Sequence, residues 1–224
     1  MAASSGPDIV DSGLVLALDA ADRNSYPGSG TTWTDLSTNG NTGTLVNGTG
    51  YSASNGGALT FDGSDDYVGF GVINFTSGTS ITIEVWVKPN SSQKSYTNIL
   101  DYGHSFGGFT IQQNVNGLNE YYFAYYNGAS FDVTPTITLN SNSFTHLVFV
   151  KSGTSTIGYV NSVNTVSLTG SVNFTGSGIT FNLGKWHGGR EFNGNIASTK
   201  IYNRALSAAE VSQNFNATRS RFGI

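Results

Sequence analysis

The chain has 224 residues, a length at which an all-β sandwich or barrel forms as a single domain. Its 29 Gly, 11% charged residues and 38% hydrophobic content describe many short strands joined by tight turns around a real core, which excludes a disordered chain. A formal charge of −4, with 10 Lys plus Arg that never cluster, excludes a nucleic-acid footprint, and the lack of Cys excludes disulfides and thiolate metal sites.

The first twelve residues, MAASSGPDIVDS, read as a lightly charged N-terminal arm that orders on docking to a partner, ahead of one domain over residues 13–224. The arm has no basic leader. The longest apolar run nearby, LVLAL at 14–18, is too short for a signal core or a membrane span, so the expectation is a chain made in the cytoplasm with no membrane insertion.

Strand candidates then recur about every 10 to 15 residues between Gly, Asn and Ser clusters. In chain order they are LVLALDA (14–20), ALTFDG (58–63), DYVGFG (66–71), SITIEVWVKP (80–89), NILDYG (98–103), GFTIQQN (108–114), EYYFAYYNG (120–128), FTHLVFVKSG (144–153), STIGYVNS (155–162), ITFNLGKW (179–186) and IASTKIYN (196–203). Alternation in SITIEVWVKP sends Ile81, Ile83, Val85 and Val87 to one face, which is core, and Thr82, Glu84, Trp86 and Lys88 to the other. That second face is either a half-covered sheet surface or the floor of a ligand groove. In the first case Trp86 packs under a loop and Glu84 pairs with Lys88 or a cross-strand residue; in the second, both bind ligand. His146 alternates with Val148 and Val150 and reads as a core or edge histidine.

A helical pattern comes only at the end. Ser207 and Glu210 form a capping box, and Leu206 and Val211 a hydrophobic staple, so the helix starts at Ala208 and runs to about 220. Val211 and Phe215 face the domain, while Gln213, Asn216 and Arg219 point outward.

Taken in order, GLVLALDA, TTWTDLSTNGNTGTL, ALTFDGSDDYV, ITIEVWVKP, HLVFVKSGTSTIGYVNSV and GNIASTKIYNRALSAAEV resemble the laminin-G-like, concanavalin A-like lectin/glucanase superfamily over most of the chain. The resemblance implies an all-β, two-sheet antiparallel jelly-roll sandwich with one curved sheet. It also implies sugar or protein ligands taken at the concave face or a loop rim, often beside calcium. The stretches LDAADRNSYPGSGTTWTDLS and IYNRALSAAEV are also similar to virion proteins of tailed phages, especially those of marine cyanobacteria. That likeness implies a virion surface protein, a capsid decoration or fibre-like component. Its expected partners are other virion proteins, with a host surface glycan and a homo-oligomer as further candidates. A stand-alone lectin or adhesin module is the alternative, and a divergent glycosidase relative the third reading.

Glucanase chemistry uses paired carboxylates about 5 to 10 Å apart, and in glucanases of this superfold two Glu and an Asp alternate on one strand. Here Glu84, Glu120, Glu191 and Glu210 each stand apart in sequence. No G-x-S-x-G elbow is present, and His104 and His187 sit in Gly-rich loops without metal-pair spacing. The chain is therefore expected not to be an enzyme. Calcium takes six to eight oxygens, and FDGSDDYV offers Asp62, Asp65 and Asp66, with Asp62 and Asp65 the candidate ligands. In calcium-binding members of the family an acid tends to follow the Gly-x-Ile of the last strand. This chain has Ala197 there, which makes calcium a minority expectation. Sugar recognition requires aromatic faces and planar polar groups. The candidate binding residues are Glu84, Trp86, Tyr122, Tyr126, Trp186, His187 and Arg190; of Tyr122/Tyr126 and Tyr121/Tyr125, which lie on opposite strand faces, one set is core.

Overall fold

The computed structural model describes residues 8–75, 79–103, 107–115, 119–127, 129–170, 178–186 and 189–224. The first strands are β1 (Leu14–Asp19), β2 (Thr32–Trp33), β3 (Gly43–Val46), β4 (Gly50–Ser52), β5 (Ala58–Asp62), β6 (Tyr67–Ile73), β7 (Ser80–Pro89), β8 (Asn98–Tyr102) and β9 (Phe109–Gln113). They continue with β10 (Glu120–Tyr126), β11 (Phe131–Val133), β12 (Ile137–Thr138), β13 (Thr145–Ser152), β14 (Ser155–Val160), β15 (Val163–Thr169), β16 (Ile179–Leu183) and β17 (Asn193–Tyr202). The helix α1 (Ala208–Thr218) and a 3-10 turn, Arg219–Phe222, follow.

These strands make two antiparallel sheets, the jelly-roll sandwich that the family resemblance implies. The first runs β15-β14-β13-β7-β17-β5-β4, with β1 sharing the second edge of β17 beside β5. The second runs β11-β10-β9-β8-β16-β6-β3-β2, with β12 on the same edge of β10 as β11. One core fills the space between them. Ile81, Ile83, Val85 and Val87 of β7 meet Phe109, Ile111, Tyr121, Phe123 and Phe181 of the second sheet in it. Tyr121 and Tyr125 are therefore the core set, and Tyr122 and Tyr126 the outward one.

The two outer faces have different fates. β7 lies between β13 and β17 along its length, and its outer residues Thr82, Glu84 and Trp86 are buried as well as its inner ones. What covers them is α1 and the turn after it. Val211 packs with Val148, Val150, Tyr202 and Leu206, and Phe215 and Phe222 pack on Trp86 and Phe144. The helix starts where its sequence signals place it. Ser207 Oγ accepts from the Glu210 N–H at 3.3 Å, and Glu210 Oε2 accepts from the Ser207 N–H at 2.8 Å. Of the arm expected over residues 1–12, residues 8–12 dock on this helical end. Val10 N–H donates to Asn214 Oδ1 at 2.8 Å, and Gln213 Nε2 donates to the Asp8 carbonyl at 2.7 Å.

Candidate functional site

Glu84 and Trp86, expected as ligand-binding residues if the outer face of β7 formed a groove, lie instead under α1. Glu84 is 1% exposed and Trp86 is fully buried. The Trp86 ring stacks on Phe222 at 4.1 Å and on Phe215 at 5.9 Å, and its Nε1 donates to Thr218 Oγ1 at 2.9 Å. Glu84 Oε1 accepts from Lys200 Nζ at 2.8 Å and lies 3.2 Å from His146 Nε2, while Oε2 accepts from Asn214 Nδ2 at 2.7 Å. Burial pushes this carboxyl up, but Lys200 and His146 outweigh burial and hold it well below the usual carboxylate range. Lys88, the other partner considered for Glu84, sits over the Phe144 ring instead. The reason for the correction is the helix: alternation shows that a side chain leaves the core face, and a distant segment decides whether it meets water.

No described helix lies on the outer face of the second sheet, and three of the expected residues meet there. The register places Tyr122 opposite Gln112, and Gln112 opposite Asn98, in one cross-strand row. The Tyr122 hydroxyl bonds Gln112 Oε1, and Gln112 Nε2 reaches the Tyr96 carbonyl at 3.3 Å. Thr110 Oγ1 lies 2.9 Å from Asn98 Oδ1 and within bonding distance of the Leu100 carbonyl. Asn98 Nδ2 is buried without a hydrogen-bond partner among the described residues.

The chain enters this site from the end of β16 through Gly184, at φ 80°, where a Cβ would come 2.6 Å from the Phe61 ring. Paired backbone bonds between Trp186 and Gly189, at 3.1 and 3.0 Å, close the loop. Arg190 follows at φ 65°, with its carbonyl accepting from the Asn98 N–H at 3.2 Å. Its guanidinium carbon lies 4.6 Å from the Trp186 ring centroid and 5.0 Å from that of Tyr96, which itself has φ 63°. Two non-glycine residues at positive φ holding facing side chains are a strained arrangement of the kind found at ligand clamps. Tyr96, Tyr122, Trp186 and Arg190 are all half-buried. Burial pushes the Tyr122 hydroxyl up, as does Tyr96, while Arg190 opposes the shift.

Tyr126 shares the outward face with Tyr122 but stands two alternations along, beyond Ala124, and stacks on exposed Phe131 at 4.2 Å. It extends the aromatic surface toward the β11 edge. His187 lies outside the described residues, as does His104. Tyr96 is the site residue that sequence reasoning missed: it precedes the strand it serves, and its left-handed backbone leaves no alternation to read.

A polar cleft of about 250 Å³ flanks the loop, lined by Asp62, Ser64, Ser92, Gln93, Lys94, Glu191 and Asn193. The Asp62, Asp65 and Asp66 carboxylate oxygens lie within 4.8 Å of one another beside it. These oxygens suit a hard cation in type, and three carboxylates supply only part of the six to eight oxygens calcium takes. Two are already engaged, however: Asp66 Oδ2 accepts from the Asp62 N–H at 3.0 Å and Asp62 Oδ1 from the Ser64 N–H at 2.7 Å. Burial raises the Asp66 carboxyl, and the neighbouring acids Asp62 and Asp65 add to this against its hydrogen bond from Asp62. Ala197 is the extra residue at a bulge between Ile196 and Ser198 and is buried against Trp86 and Phe144. An acid at that position would enter an apolar cluster under the C-terminal turn.

A model of the concanavalin A-like lectin/glucanases superfamily matches residues 62–212, more than half of the chain. The chain belongs to this superfamily. No curated protein matches it by sequence. Among solved structures, this superfamily member is similar to domain 4 of AbnA, a GH43 extracellular arabinanase from Geobacillus stearothermophilus, solved with arabinotriose. The TM-score is 0.70 at 20% identity, over 92% of this chain and all of that one. It is also similar to the binding domain of botulinum neurotoxin DC in complex with SialylT (TM-score 0.67, 14% identity, 93% of this chain and 52% of that one). A third is Trypanosoma rangeli sialidase in complex with DANA (TM-score 0.65, 18% identity, 96% of this chain and 34% of that one). The chain thus spans about half of the toxin structure and a third of the sialidase. At these identities the likeness is one of fold.

Proposed function

We propose that this jelly roll is a non-enzymatic glycan-binding protein whose sugar-contacting surface is the outer face of the second sheet, at Tyr96, Tyr122, Trp186 and Arg190. The observation that carries the reading is the Tyr96–Arg190–Trp186 stack, half-buried and held by strained backbone, on a sheet face no described helix covers. Ring faces take the C–H surface of a pyranose and the guanidinium its oxygens. The polar cleft at Gln93, Lys94 and Asn193 offers amides and charges for further hydroxyls. Two similar folds were solved with sugars or sugar conjugates, arabinotriose and SialylT, which supports the reading. Against catalysis stands Glu84, buried with both oxygens engaged and so withheld from any substrate.

The setting we propose is the surface of a tailed-phage particle, as a capsid decoration or fibre-like component docked to other virion proteins. It rests on the wording of residues 18–37 and 201–211. Mass spectrometry of purified particles that lacks this chain would remove the setting and leave the glycan reading standing. The glycan reading is tested by an array probed with the labelled full chain, with and without calcium. Hits are expected in both conditions. A blank array overturns the reading.

A further inference from the structure

Arg190 is unusual for a half-buried cation. Its guanidinium lies over two aromatic rings, Trp186 and Tyr96, and among the described residues it has no hydrogen-bond or ion-pair partner. The acid next to it in sequence, Glu191, is matched by Lys94 at 3.6 Å, and Asp101, a buried acid on the same sheet face, has a partner of its own. Every other Arg of the C-terminal region that donates hydrogen bonds does so to protein oxygens: Arg204 to Glu210 and Ser12, Arg221 to Asp19 and Asn55. A second cation, Lys185, sits over Tyr67 at 4.4 Å, and Tyr67 alternates with buried Val68 and so takes the same outer face.

A guanidinium held over aromatic rings spends its face on them and keeps its N–H edge for an acceptor. That edge presents parallel donors whose geometry matches a carboxylate. A neutral hydroxyl uses one such donor and leaves the charge uncompensated.

Resting on the glycan reading above, we infer that the ligand is an acidic glycan, and that Arg190 receives the carboxylate of a uronate or sialate unit through a bidentate contact while Trp186 and Tyr122 hold the sugar ring. The contact is non-covalent, and the chain's overall net charge of −4 makes Arg190 a local feature rather than part of a general anion surface.

Isothermal titration with matched probes isolates the carboxylate: trigalacturonic acid against its methyl ester, and 3′-sialyllactose against its methyl ester. A charge-assisted contact predicts that the full chain binds at least one free acid about 10- to 100-fold more tightly than its ester. In Arg190→Gln that ratio falls to about one, and Arg190→Lys, which keeps the charge and loses the fork, lies between. The pair that shows the ratio distinguishes uronate from sialate. Equal affinity for acid and ester in the unsubstituted protein overturns the inference and leaves the glycan reading intact. A ratio retained in a folded Arg190→Gln protein overturns the role of Arg190. No binding to any probe, together with a blank array, removes the glycan reading and the inference with it.

Discussion

Asn214 of the C-terminal helix donates from Nδ2 to Glu84 Oε2 at 2.7 Å, joining residues 130 positions apart. The same amide group lies 2.9 Å from the Tyr202 hydroxyl, and Asn214 Oδ1 accepts from the Val10 N–H. Central strand, last strand, helix and N-terminal segment thus meet around one buried carboxylate. This meeting covers the outer face of β7.

Removing one partner of a buried ion pair leaves the other charge without compensation. Glu84→Ala is expected to destabilise the fold by about 3–5 kcal/mol in chemical denaturation. The double substitution Glu84→Leu with Lys200→Met, which removes both charges, is expected to recover much of that loss.

Trp86 and Trp186 make a matched contrast. Trp86→Ala opens a cavity under Phe215 and Phe222 and costs about 3–5 kcal/mol. Trp186→Ala removes a half-buried ring and its cation–π contact, about 1 kcal/mol, but is expected to abolish glycan binding. A thermal melt and an array on each variant check both halves.

The helix cap gives a smaller effect. Ser207→Ala loses the acceptor for the Glu210 N–H and is expected to lower stability by about 1 kcal/mol.

Acid should loosen the helical end before the sandwich core. Hydrogen bonds from Arg204 and Ser207 hold the Glu210 carboxyl at about 2, below its ordinary 4.5, and Glu84 is also depressed, by Lys200 and His146 acting against burial. Both carboxyls ionise more readily folded than unfolded, so their contribution is full above about pH 4.5 and is lost as pH falls. Melting curves from pH 5 to 2 are expected to show a fall in stability that is shallower in Glu210→Gln. An identical slope in that variant would remove Glu210 from the account.

The strands that alternation reveals are those with one apolar face: SITIEVWVKP matches β7 end to end. The ones it misses are β2, β3, β4, β11, β12 and β15, which are short or, like VNTVSLT, mostly exposed on both faces. A strand that buries little leaves little pattern. The capping box marks the start of α1 without ambiguity. What that helix covers was not legible, because Asn214 reads as an ordinary polar helix residue until Glu84 lies beneath it. In the site, Tyr122, Trp186 and Arg190 are recognisable by residue type, whereas Tyr96 and the stack that joins it to Arg190 depend on two left-handed backbone positions with no glycine to announce them.

The central claim is that recognition occurs on the outer face of the second sheet. Its most direct test is isothermal titration of the tightest array glycan into the unsubstituted protein, Tyr122→Ala and Trp186→Ala, each with its melting temperature measured alongside. Binding in the unsubstituted protein that falls at least about tenfold in both variants, with folding retained, is the predicted result. Unchanged affinity in both folded variants would contradict it.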